Sequence, residues 1–389
     1  MNRTNSSIFI YYNGIINNGD IMKKVVIALI FTTLFIFGLF FYNLNKNEQN
    51  IIDKEEEKSV VTSIDMVMVG DMLVHGAVYS DAKTSTGYDF KPMIEYIKPI
   101  VSNYDIAFYN QETILGGTEL GLSTYPRFNS PYEVGDAMID AGFNIVALAN
   151  NHTLDRGITA INNSLNYWAN KDVLTAGSYT SFEDKNTVDI KEKNGITYTL
   201  LSYTYGTNGI PVPDGKEYLV NVYSQEKVSE DIARVRSLVD VLMVSIHWGT
   251  EYSHTPNKFQ VEQAEYLSGL GVDIIIGHHP HVVQPITRIG NTVVIYSLGN
   301  FLSAQEGIDR LVGLMAGLTI KKTTIGNEKT ITIDNIHTEL LYTYYSHAKD
   351  FEVIPFSDIN DTYLKNYENI YDTYKEIVLQ YDNTIKVNK

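Results

Sequence analysis

The run Gly277-His278-His279-Pro280-His281 gathers three of the chain's nine histidines within four positions. It follows Val272-Asp273-Ile274-Ile275-Ile276, an apolar stretch that reads as a buried strand. A glycine at a strand end lets the backbone turn sharply and bring side chains together. His279 and His281 are close enough in sequence to face one or two metal ions. Imidazole suits borderline divalent metals, so Mn, Zn and Fe are the candidates.

Four other apolar runs end in metal-compatible groups. Met66-Val67-Met68-Val69 leads into Gly70-Asp71, and Ile106-Ala107-Phe108-Tyr109 into Asn110-Gln111-Glu112. Ile145 to Ala149 leads into Asn150-Asn151-His152, and Val241 to Ile246 into His247-Trp248-Gly249. Open α/β sheets bind ligands outside the carboxyl ends of their strands. One acid at a strand end is often only a helix cap. Five strand ends in register with a histidine cluster point to a shared rim.

The chemistry such a rim supports is two-metal hydrolysis. It needs anionic ligands to offset cation charge and neutral donors to complete coordination. Asp71 and Glu112 supply the negative charge. Asn151, His247, His279 and His281 supply neutral donors. His152 is the candidate to protonate a leaving group. Asp155 either orients that imidazole or caps the helix beginning near Arg156. His75, four residues after Asp71, reads equally as ligand, substrate contact or surface residue. Ser297 lacks the Gly-x-Ser-x-Gly setting of a nucleophile.

Composition narrows the class. Lys and Arg total 30 against 46 Asp and Glu, a net charge of −16. With a pI near 5.0 and no dense basic run, nucleic acid is set aside as a partner. The absence of cysteine excludes disulfides, thiolate zinc sites and a lipidated N-terminal Cys.

The elements that must position these residues alternate between strand-like and helix-like from about Val60 to Ser303. Helices are expected from Ser130-Pro131 to Ala141, Ile158 to Trp168, Gln225 to Leu238 and Phe259 to Leu270. Further strands are expected at Ile196 to Tyr205 and Thr292 to Ser297. Alternation argues an α/β sheet with helices on its faces. Leu311 to Ile320 and Thr330 to Tyr345 read as a β pair extending it. Leu364, Tyr367, Tyr371, Tyr374, Val378 and Tyr381 recur at helical spacing, giving residues 351–389 as a helical tail whose tyrosines pack.

Ahead of this domain, Val25 to Phe41 is uncharged and preceded by Lys23-Lys24. About 20 apolar residues typically span a bilayer. No small-x-small cleavage site closes the run, so it reads as a retained anchor. The basic flank predicts a cytoplasmic N-terminus and an external domain. The expected organisation is a cytoplasmic segment 1–24, an anchor 25–43, a charged stalk 44–62, a main domain 63–350 and the tail. Met22 is an alternative start.

From about Asp65 to Ser303 the chain resembles the poly-γ-glutamate capsule biosynthesis proteins of the CapA/PgsA type. The resemblance rests on Val69-Gly70-Asp71, Asn110-Gln111-Glu112, Ala149 to Gly157, His247 to Tyr252, Gly277 to His281 and Tyr296 to Phe301, in that order. It implies a fold similar to calcineurin-like metallophosphoesterases: a β-sandwich flanked by helices, in place of a single doubly wound sheet. It implies that Asp71 is the first metal aspartate and that Glu112 stands where those enzymes place a bridging aspartate. Asn151 and His152 match an Asn-His pair, His247 the lone metal histidine, and His279 and His281 the paired histidines. Leu73 stands where a histidine ligand is expected, and His75 is the candidate to compensate.

Three functions follow as expectations. The first is a membrane-anchored extracytoplasmic protein of poly-γ-glutamate assembly or export, with a hydrolase site for the polymer or a related envelope amide. The second is a metallophosphoesterase acting on an external phosphate ester. The third is a non-catalytic polymer-binding subunit of a membrane synthase or export complex. An anionic domain repels polyglutamate unless a cationic centre offsets the field, so the polymer readings call for metal.

Overall fold

The computed structural model describes residues 18–52 and 59–389, which divide into two compact units meeting at Ser59 and Val60. The first unit contains a helix from Asn18 to Ile52. Its stretch Gly19–Lys46 is long and apolar enough to cross a membrane, and its large side chains are exposed. The expected 44–62 stalk is thus helical as far as Ile52 and joins a strand at Val60. The charge run 53–58 and residues 1–17 of the expected cytoplasmic segment lie outside the described residues.

The second unit is built on two sheets. The first is nine-stranded among the described residues. Its spine runs β14 (Lys349–Pro355), β13 (Glu328–Ser346), β12 (Val312–Ile325), β1 (Val60–Leu73), β2 (Ile106–Asn110), β3 (Ile145–Ala147) and β4 (Leu174–Ala176). β11 (Asn300–Ser303) pairs with β1, and β15 (Lys386–Asn388) with β13. The second sheet runs β5 (Lys191–Lys193), β6 (Ile196–Thr204), β7 (Val241–His247), β8 (Ile274–His278), β10 (Thr292–Ile295) and β9 (Ile286–Ile289).

Side chains alternate between the faces of a strand. On β1, Met66 and Met68 belong to one core cluster, and Val67 and Val69 to another. The first cluster also holds Leu200, Met243 and Ile276 of the second sheet, so it is the layer between the sheets. The second packs the outer face of β1–β3 against helices Glu133–Asp140 and Gly157–Trp168. A third buries Leu242, Val244 and Ile246 under helices Gln225–Val235 and Lys258–Gly269. The result is helix, sheet, sheet, helix: the sandwich the resemblance implied. Burial on both faces explains why the strands read as continuous apolar runs.

The C-terminal residues differ from a simple helical tail. Helix Tyr367–Val378 forms, and Tyr371, Tyr374 and Val378 are buried on it. Yet Phe351–Pro355 complete β14, and β15 returns to pair in parallel with β13. The tail therefore closes the first sheet and its core.

Candidate metal centre

The carboxyl ends of β1, β2, β7 and β8 converge. β1 is parallel to β2, with Asp71 beside Asn110, and β7 is parallel to β8, with His247 beside His278. Two glycines permit the approach. A Cβ on Gly70 would lie 1.8 Å from the Gly299 carbonyl oxygen, and one on Gly277 would lie 2.0 Å from that of Tyr296. Gly277 thus serves close packing within β8 and does not make the turn expected of it. His279 (φ 95°) and His281 (φ 58°) take the left-handed turn instead. Such backbone costs about 1–3 kcal/mol per non-glycine residue and persists where the surroundings impose it.

Asp71 is fully buried. Its Oδ1 accepts a hydrogen bond from Asn110 Nδ2 at 2.8 Å, and its Oδ2 one from the His279 backbone N–H at 3.3 Å. His278 Nδ1 lies 3.2 Å from Oδ1, and His281 Nδ1 3.5 Å from Oδ2. Burial pushes the Asp71 carboxyl up, but the imidazoles of His278 and His281 outweigh it and hold it well below the usual range. Glu112 lies 3.6 Å from His247 Nε2 and 3.8 Å from His281 Nε2. Burial drives the Glu112 carboxyl well up; His281 offsets part of this and Asp71 adds to it. Burial also holds His247 well below the ordinary imidazole range and takes His279 down to about 3. Burial disfavours the His281 cation too, yet Glu112 and Asp71 raise it to about 9.

Many buried polar atoms here lack a protein partner. Both carboxylate oxygens of Glu112, Oδ1 of Asn151, both ring nitrogens of His247 and Nδ1 of His279 are among them. Buried polar groups are normally satisfied. The carboxylate, amide and imidazole donors are of the types that divalent cations take, and an imidazole offers a cation one nitrogen at a time. Ligand atoms of Asp71, Glu112 and His281 lie within 4.8 Å of one another, as do those of Glu251, His279 and His281.

Asn151 and His152 follow β3. Asn151 Nδ2 donates to Asn208 Oδ1 at 3.2 Å. His152 Nδ1 lies 2.7 Å from Asp155 Oδ2, which also accepts the Phe128 N–H at 2.7 Å. The Phe128 ring meets His152 edge-on at 4.7 Å. The helix after it is capped at Arg156 without a side-chain bond. Asp155 is therefore engaged by His152, and the capping alternative falls away. A cleft of about 360 Å³ opens beside this pair, its lining including Tyr125, Arg127, Asn208 and Glu251.

His75 places Nδ1 3.0 Å from the Leu73 carbonyl and meets the Phe128 ring edge-on. Burial takes it down to about 4. Sequence reasoning left His278 without a role; it is stacked on Phe108 and set against Asp71. Asn110, two residues before Glu112, and Glu251, four residues after His247, likewise had no role from sequence. Asn300 places Oδ1 3.0 Å from His281 Nδ1.

The chain is 29% identical to the PGA biosynthesis protein CapA of Bacillus subtilis, over 72% of this chain and 75% of that one. It is 26% identical to the capsule biosynthesis protein CapA of Bacillus anthracis, over 65% and 61%. A crystal structure of 5'-nucleotidase from Candida albicans aligns at a TM-score of 0.38 and 14% identity, over 65% of this chain and 47% of that one. The family model described as bacterial capsule synthesis protein PGA_cap matches residues 65–305, more than half of the chain, and spans every residue of the centre; the chain belongs to that family.

Proposed function

We propose that this protein is a membrane-anchored, extracytoplasmic hydrolase of poly-γ-glutamate assembly. It acts through one or two divalent ions on γ-linked glutamyl amides or a related envelope amide, within a membrane synthase or export complex. The observation that carries the metal is the group of buried, partnerless donors around Glu112, His247 and His279. Family membership supports the capsule polymer as the setting.

Bound divalent ions bring the pKa of a coordinated water down to about 7, so that hydroxide is available at neutral pH. Asp71 and Glu112 would offset the cation charge, and Asn151, His247, His279 and His281 would complete the donor set. Asp155 accepts from His152 Nδ1, which fixes the tautomer. That leaves Nε2 to carry the second proton of the imidazolium, which it hands to the departing nitrogen, leaving the neutral Nδ1–H ring. The net charge of −16 repels an acidic polymer; the metal centre and Arg127 in the cleft supply local positive charge.

The test uses the full chain in detergent. Metal content is measured first, then turnover of γ-glutamyl oligomers and of phosphate esters, with and without chelator. The expected result is bound divalent metal and chelator-sensitive amide cleavage. Metal-free protein, or cleavage indifferent to chelator, overturns the reading. Cleavage of phosphate esters alone transfers it to a phosphoesterase. Polymer binding without turnover transfers it to a carrier subunit.

A further inference from the structure

We propose that Glu251 is a direct ligand of this centre, forming with His279 and His281 a cation position at the cleft mouth. That position shares His281 with the buried one framed by Asp71 and Glu112, and is distinguished from it by Glu251 and His279. The inference rests on the metal reading above.

Three observations carry it. First, ligand atoms of Glu251, His279 and His281 lie within 4.8 Å of one another, the spacing a single cation can gather. Second, His279 is 4% exposed and its Nδ1 has no protein partner, so the group includes a buried imidazole with an unsatisfied nitrogen. Third, the loop carrying Glu251 is fastened to the histidine loop. Trp248 N–H donates to the His278 carbonyl at 3.0 Å, and Tyr252 N–H to the Pro280 carbonyl at 2.8 Å. Tyr252 holds a left-handed backbone (φ 65°), and the Arg310 guanidinium sits 4.8 Å from its ring. Glu251 is thereby held between two anchored neighbours.

Charge and chemistry agree. Leu73 is buried and apolar, so β1 offers Asp71 as its carboxylate and no second donor. Two dications against Asp71 and Glu112 alone would leave a large positive excess in a buried site. A third carboxylate reduces it. The Asp71 position is enclosed, whereas Glu251 is exposed and lines the cleft beside His152. The Glu251 position is therefore the one that exchanges its ion with solvent and meets substrate first.

The test strips the full chain in detergent with chelator and titrates it with Mn²⁺. Stoichiometry is read by elemental analysis and affinity by calorimetry; circular dichroism checks folding. Glu251→Gln should lose the weaker ion or weaken its binding by about 10–100-fold or more, the scale on which even outer-sphere changes act. Glu251→Asp should restore part of it. Glu262→Gln, a surface change on the Lys258–Gly269 helix, should match wild type. If wild type binds Mn²⁺ and folded Glu251→Gln binds it with the same number and affinity, the Glu251 assignment is overturned and the centre stands. If wild type binds none, the metal reading falls and takes this assignment with it.

Discussion

His152 and Asp155 define what one side chain can do for another. The 2.7 Å contact fixes which imidazole nitrogen carries the proton, and the Phe128 ring holds the imidazole edge-on. Asp155→Asn preserves shape but allows the wrong tautomer. In an active enzyme, His152→Ala and Asp155→Asn should each lower turnover on the order of 10²–10⁴-fold with metal content unchanged. Elemental analysis beside rate measurement separates this from loss of ligation. An active His152→Ala protein at the wild-type rate removes His152 from the mechanism. The ligand candidates were legible because each stands directly after an apolar run. Glu251 was not, because it lies four residues past His247 on an exposed loop. His278 was hidden among three histidines whose directions only the left-handed turn at His279 and His281 decides.

Strands were legible as apolar runs, but which sheet they join was not. Met66, Val67, Met68 and Val69 are all apolar because both faces of β1 are covered, so period gives no sign of a second sheet. The strand Lys386–Asn388 carries only three residues and one apolar side chain, too little for any pattern to register. The two sheets are also joined by polar contacts at their margin. Lys322 of β12 donates to Asp240 Oδ2 at 2.6 Å and to the Gly195 carbonyl at 2.8 Å, reaching from the first sheet to the second. Asp240 also accepts from the Thr197 N–H at 3.0 Å. Partial burial pushes the Asp240 carboxyl up, but Lys322 and Thr197 outweigh it and hold it below its ordinary value. A carboxyl depressed in the fold adds stability above its unfolded pKa and loses it as pH falls through the folded pKa. Lys322→Met should therefore destabilise the protein at neutral pH, by about 1–3 kcal/mol for a hydrogen bond to a charged group. The deficit should shrink as pH falls below the ordinary carboxylate range. Denaturant unfolding of both proteins across pH checks this; a deficit that stays constant down to acid denaturation would exclude Asp240 as the partner responsible.

At the scale of the whole chain, the proposed function requires the centre and the polymer on the same side of the membrane. The helix Asn18–Ile52 has the length and composition to span a bilayer, and Lys23-Lys24 flank its apolar run on the N-terminal side. Basic residues favour the cytoplasmic side, so the proposed function expects Val60–Lys389 outside. A domain there must hold together without disulfides, since the chain has no cysteine. The three buried layers of the sandwich supply that cohesion. The same lack of cysteine makes topology directly measurable, because any introduced thiol is unique. Lys349 is exposed at the start of β14, and Asp20 is exposed near the start of the apolar helix. In intact cells a membrane-impermeant maleimide should label Lys349→Cys. Asp20→Cys should stay unlabelled until the membrane is opened. Labelling of Asp20→Cys with protection of Lys349→Cys would reverse the orientation. The centre would then face the cytoplasm, and an extracytoplasmic role for it would be untenable.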